Sequence, residues 1–160
     1  MSTETAAPAP EATNPDLPAN PTFWNYVGYW FPHLVAFGYA LVILAAISTQ
    51  FIGTDMPCPL CVLQRMAMML IGIAAIWMVG QARKGMLTLA AYARSYGLMI
   101  VAAMLGATMS TRQIELHILP GDAGYGDAVL GLHLYTWALI TFIVVIAYSA
   151  IMLMFFKPTL

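Results

Sequence analysis

From Cys61 to Gly80 the chain reads CVLQRMAMMLIGIAAIWMVG. One of those twenty residues is charged, Arg65, and it sits close to the start of the run. About 20 mostly apolar residues in a helix cross the hydrocarbon core of a bilayer. The stretch therefore predicts a membrane-spanning helix over about residues 61–80. It closes on Gln81-Ala82-Arg83-Lys84-Gly85, where charge returns.

Working outward, three more runs have the same character. One covers about 33–52 and follows an aromatic cluster of Phe23, Trp24, Tyr26, Tyr29, Trp30 and Phe31. Trp and Tyr favour the headgroup level, so that cluster is expected in the interface. Another begins near Ser95, after Arg94, and covers about 95–118. The last covers about 131–156, ahead of Lys157-Pro158. An even helix number and short connections predict an all-α membrane protein, an antiparallel four-transmembrane-helix bundle. Ala102, Gly106 and Ser110 recur every four residues, a small-residue stripe that lets helix backbones approach closely. Met66, Met68, Met69, Met104 and Met109 suit either a pliable ligand wall or apolar filler.

Composition agrees. The 160 residues are 61% hydrophobic and 8% charged, whereas soluble domains carry about a quarter charged residues. Six Lys and Arg with a net charge of −1 leave no basic patch for a nucleic-acid partner. Residues 1–22 differ: five of the ten prolines fall there, among Ala, Thr and Glu, with no Lys or Arg. That composition predicts a disordered cytoplasmic tail rather than a secretory signal, which needs a basic start. Residues 23–160 then form the transmembrane domain. Arg83, Lys84, Arg94 and Lys157 lie on one side and only Arg65 and Arg112 toward the other. The excess of cations on cytoplasmic loops places both termini in the cytoplasm. Asp55, Glu115, Asp122, Asp127 and the cysteines then face outward.

The only two cysteines, Cys58 and Cys61, are three apart at the outer mouth of the second helix. Such a pair can close a disulfide, and a helix N-terminus favours the thiolate when it is open. Pro57 and Pro59 suit an extended approach and a first helical turn. A purely structural disulfide would close a tiny loop, where stabilisation is least. A zinc site needs about four ligands, and no further thiol exists, so no metal is expected. Redox use is the reading these residues favour. Gln64 and Arg65 follow Cys61 by three and four residues, on the same helical face one turn deeper. An Arg there either snorkels to the interface or steadies a nearby anion, and residue physics alone leaves both open.

Pro57-Cys58-Pro59-Leu60-Cys61-Val62-Leu63-Gln64-Arg65 resembles the P-C-x-L-C-x-x-[QE]-R signature of the DsbB family of disulfide bond formation proteins. The family closes its third helix with Arg followed five residues later by His, matched by Arg112 and His117 in Thr111-Arg112-Gln113-Ile114-Glu115-Leu116-His117. Its fourth helix opens on G-L-x-[ML]-x-x-W, matched by Gly131-Leu132-His133-Leu134-Tyr135-Thr136-Trp137. The resemblance spans about residues 33–156. Vitamin K epoxide reductase-like proteins, near relatives, carry the corresponding pair on a later helix.

The resemblance implies a quinone-dependent protein-disulfide oxidoreductase of the bacterial inner membrane. It would re-oxidise a periplasmic thioredoxin-fold (DsbA-like) thiol oxidase and pass electrons to ubiquinone or menaquinone. Cys58 and Cys61 are then catalytic. Cys58 would exchange with incoming thiols, and Cys61 would face the quinone as the charge-transfer thiolate. Arg65 and His117 would line the quinone head group, with Gln64 a weaker candidate. One departure is plain: the family usually carries a second cysteine pair between helices three and four, and Leu119 to Leu130 contains none. Two other classes compete. A non-catalytic accessory subunit would keep the bundle as an assembly surface. A haem-binding electron-transfer subunit would use His117 and His133, with His33 interfacial.

Overall fold

The computed structural model describes residues 23–52, 58–119, 121 and 130–155. The expected tail, Asp55, Asp122, Asp127 and Lys157 lie outside the described residues. Four helices follow one another: α1 (Phe23–Ile52), α2 (Pro59–Arg83), α3 (Leu89–Leu116) and α4 (Leu134–Phe155). Each contains a segment long and apolar enough to cross a bilayer. The chain is a four-helix membrane bundle.

Three helix boundaries differ from expectation. α1 begins at Phe23, not near 33, and runs through the buried Pro32. Proline removes one ladder bond, but membrane helices tolerate it where neighbouring structure compensates. The aromatic cluster is therefore the first turns of the helix itself. α3 begins at Leu89, not near 95, because Thr88 caps it: its side chain accepts from the Ala91 amide at 3.1 Å. Arg94 accordingly sits inside the helix, on an exposed face. α4 begins at Leu134, not 131, because Leu130 and Gly131 take positive φ (54° and 81°) and turn the chain instead. His133 then receives the first-turn amides of Thr136 and Trp137 at its carbonyl, 2.9 and 3.3 Å away.

The packing is sequential, α1 on α2, α2 on α3 and α3 on α4. Cross-contacts fix the antiparallel sense. Cys61 near the start of α2 meets Gln113 near the end of α3, and Tyr92 early in α3 donates to the Met152 carbonyl late in α4 at 3.2 Å. Along α3, Ala102, Gly106 and Ser110 are buried; an added Cβ on Gly106 would collide with the Phe142 ring of α4. The stripe admits that ring edge to the backbone.

α1 and α4 meet near the middle of the bundle, where Tyr39 and Phe142 have ring centroids 6.4 Å apart, and are fastened to each other at one end. Phe31 stacks on Tyr148 with ring centroids 3.4 Å apart, and the Tyr148 hydroxyl donates to the Val27 carbonyl at 3.2 Å. Tyr92 and Tyr96 complete this tyrosine end, with centroids 4.8 Å apart. His33 belongs to it as well, Nδ1 donating to the Tyr29 carbonyl at 2.8 Å and its ring against Tyr29 and Trp30. At the opposite end, where α2 begins, the helices leave a cavity.

Candidate functional site

Cys58 is the N-cap of α2, with φ −61° and ψ 130°, and its carbonyl accepts the Val62 amide at 3.1 Å. Pro59 occupies the first helical turn, where no amide donor is required. These local choices put Cys58 just outside the helix and Cys61 inside its first turn. Both are half-buried free thiols.

Below them lies a cavity of about 450 Å³ walled by all four helices. That volume falls in the range of small-molecule sites. α2 contributes Cys61, Gln64, Arg65 and Met68; α1 contributes Tyr39, Val42, Ala45 and Ala46; α4 contributes Leu134, Tyr135, Trp137, Ala138 and Thr141. The walls are mostly apolar, and near the cysteine Gln64, Arg65 and one residue of α3 converge. Val42 and Leu134, which line it from α1 and α4, are both exposed.

The residue from α3 is Gln113, which sequence reasoning did not single out. It is fully buried. Its Nε2 donates to Cys61 Sγ at 3.3 Å, and its Oε1 lies 3.6 Å from the same sulfur. Gln64, also buried, donates from Nε2 to Gln113 Oε1 at 2.8 Å. A signal was present: Gln113 continues the Ala102–Gly106–Ser110 stripe by three residues, so the face that packs also carries an amide to Cys61. Its neighbour Arg112 points outward and pairs with Glu115 at 3.4 Å on an exposed face.

Of the expected site residues, the structure brings Cys61, Gln64 and Arg65 together on the cavity wall, while Cys58 caps the helix that carries them. His117 is the C-cap of α3 and does not line the cavity; it reaches it through Tyr135, whose ring is 5.9 Å from the imidazole at 23°. His133 stacks on the same tyrosine at 5.2 Å and 12°. Both imidazoles thus adjoin one phenol ring. Met68 lines the cavity, while Met66, Met69 and Met104 are exposed on the bundle's outside.

Such a site can do thiol chemistry beside an apolar ligand. One sulfur caps the helix, and a second, inside its first turn, lines the cavity. The inner one is held by the Gln113 amide and shares the wall of a largely apolar cavity with a guanidinium. Comparison with known proteins points the same way. The family model for disulfide bond formation protein DsbB matches residues 29–125. Disulfide bond formation protein B of Chromobacterium violaceum is 37% identical over 89 residues, covering 56% of this chain and 51% of that protein. The chain thus spans about half the length of that relative. No solved structure matches it.

Proposed function

Because this chain belongs to the DsbB family, we propose that it is a quinone-coupled thiol oxidase, generating disulfides by re-oxidising a soluble thioredoxin-fold partner through Cys58 and Cys61. The observation that carries this reading is the placement of the two sulfurs. Cys58 caps α2 at the surface, while Cys61 opens onto a cavity with an apolar wall and one polar corner. Nothing in a structural disulfide calls for a ligand-sized space beneath its inner sulfur.

The residues present fit a quinone head group. Arg65, Gln64 and Gln113 offer donors at one corner, where a carbonyl oxygen needs them, and Tyr135, Trp137 and Met68 offer flat or pliable apolar contact. Such a group, when bound, supplies a two-electron acceptor, either ubiquinone or menaquinone. The protein's own steps are thiol exchange. A partner thiolate attacks Cys58 in line with the disulfide, and the mixed disulfide leaves Cys61 as the thiolate. Arg65 balances that charge in a medium where an unpaired ion is costly. His117 acts on the site through the Tyr135 ring it stacks on. With no further cysteine in the chain, the partner thiol reaches Cys58 directly. The cysteine end then faces the periplasm and the Arg83–Lys84 turn the cytoplasm, in the inner membrane.

The test is quinone reduction by the purified protein supplied with a reduced thioredoxin-fold oxidase, comparing wild type with Cys61→Ser. Turnover in wild type that the substitution abolishes is the expected result. No turnover in wild type, with the pair stably oxidised, would favour the accessory-subunit reading.

A further inference from the structure

The Gln113 amide meets Cys61 in an unusual way: both of its polar atoms face one sulfur. Oε1 is placed to accept from a thiol at 3.6 Å, and Nε2 donates to the sulfur at 3.3 Å. Which edge dominates is set from outside the pair, because Gln64 Nε2 already donates to Oε1 at 2.8 Å. That bond directs the carbonyl toward Gln64 and leaves the N–H₂ edge for Cys61. Gln113 is fully buried and Gln64 nearly so, so water does not compete for either amide. A neutral donor fixed in a dry site is worth more than one in water, and it brings no desolvated charge of its own.

We propose that Gln113 stabilises the leaving group in thiol exchange, and that Gln64 is the positioning residue that keeps its donor edge on Cys61. The inference rests on the exchange reading of the cysteine pair. The step balances as follows. A partner thiol, having lost its proton to solvent, attacks Cys58 Sγ. A new S–S bond forms to Cys58, the Cys58–Cys61 bond breaks, and its electron pair stays on Cys61. The charge appears beside Nε2, where a donor already stands, so little rearrangement is needed as the bond breaks. In the reverse step Cys61 is the attacking thiolate, and a stabilised thiolate is a weaker nucleophile. Gln113 therefore speeds opening and slows re-closure, poising the pair toward the open form.

That double effect separates this role from simple packing. The experiment uses full-length protein in detergent with no quinone added, and dithiothreitol as the thiol. The rate of opening of the Cys58–Cys61 disulfide is measured together with its equilibrium against dithiothreitol. Gln113→Leu should slow opening roughly 10- to 100-fold, the range for losing a hydrogen bond to a charged group. It should also shift the equilibrium toward the closed disulfide. Gln64→Glu leaves Gln113 in place but offers it an acceptor; the amide turns, Oε1 faces the sulfur, and both quantities should move the same way. Combining the two substitutions should add little to Gln113→Leu alone, since Gln64 acts through Gln113. Thermal unfolding identifies a variant that has merely lost its fold, and Gln64→Glu then decides. Opening rates and equilibria within twofold of wild type in the folded variants would overturn the inference and leave the thiol-oxidase reading standing. A wild-type disulfide that dithiothreitol opens no faster than an unactivated one would overturn both.

Discussion

Arg65 shares the cavity wall with Cys61 and lies one helical turn below it. A planar guanidinium presents several donors in a fixed fork, whereas an ammonium is a compact, strongly hydrated point charge. Under the proposed function, replacing Arg65 by Leu should lower kcat/KM for the quinone about 10- to 100-fold, with Arg65→Lys falling between. A steady-state assay that varies quinone at saturating partner thiol measures this; equal values for the Leu variant and wild type would reduce Arg65 to a snorkelling side chain. Cys61, Gln64 and Arg65 were legible as neighbours because one helix carries them at spacings of three and four, which the α-helix stacks on one face, with Cys58 capping that helix. Gln113 was not. Its neighbours Arg112 and Glu115 look like the functional residues of that turn, yet they form an exposed pair, and the inward neighbour is a neutral amide. The rotation of α3 about its axis decides this, and tertiary packing sets it. His117 was taken from the family pattern, and the structure places it behind Tyr135 rather than on the cavity wall.

Gly106 sets how closely α3 and α4 approach, since the Phe142 ring occupies the space a side chain would need. Gly106→Ala forces either the ring or a helix to move, and overpacking of this kind typically costs about 1–3 kcal/mol. The variant should unfold at lower temperature in detergent, and adding Phe142→Leu should restore part of the loss. An unchanged midpoint for Gly106→Ala would mean the ring gives way freely. The number of helices and the buried stripe could be read from apolar runs and small-residue spacing. The helix starts could not. The aromatic segment before Pro32 gave no sign that the helix begins there, yet α1 starts at Phe23 and Phe31 packs on Tyr148. At α4 the positive φ of Leu130 and Gly131 delays the helix, a turn conformation that no hydropathy pattern signals.

The bundle has two unlike ends, and the proposed function requires a particular one to face the periplasm. In that orientation a membrane-impermeant maleimide added from the periplasmic side should label Cys58 in cells treated with a reductant. In a Cys58→Ser, Cys61→Ser background, a cysteine placed at Lys84 should label only after the membrane is permeabilised. The reverse pattern would invert the topology and end the pairing with a periplasmic oxidase.

Val42 of α1 and Leu134 of α4 line the cavity and are both exposed, so under the proposed function the quinone enters sideways, from the bilayer. A quinone entering that way would arrive by diffusion in two dimensions. For such a site the concentration that governs occupancy is counted per lipid, not per litre. On the proposed function, a cell that enlarges its membrane without making more acceptor would slow turnover while its total acceptor content stayed constant.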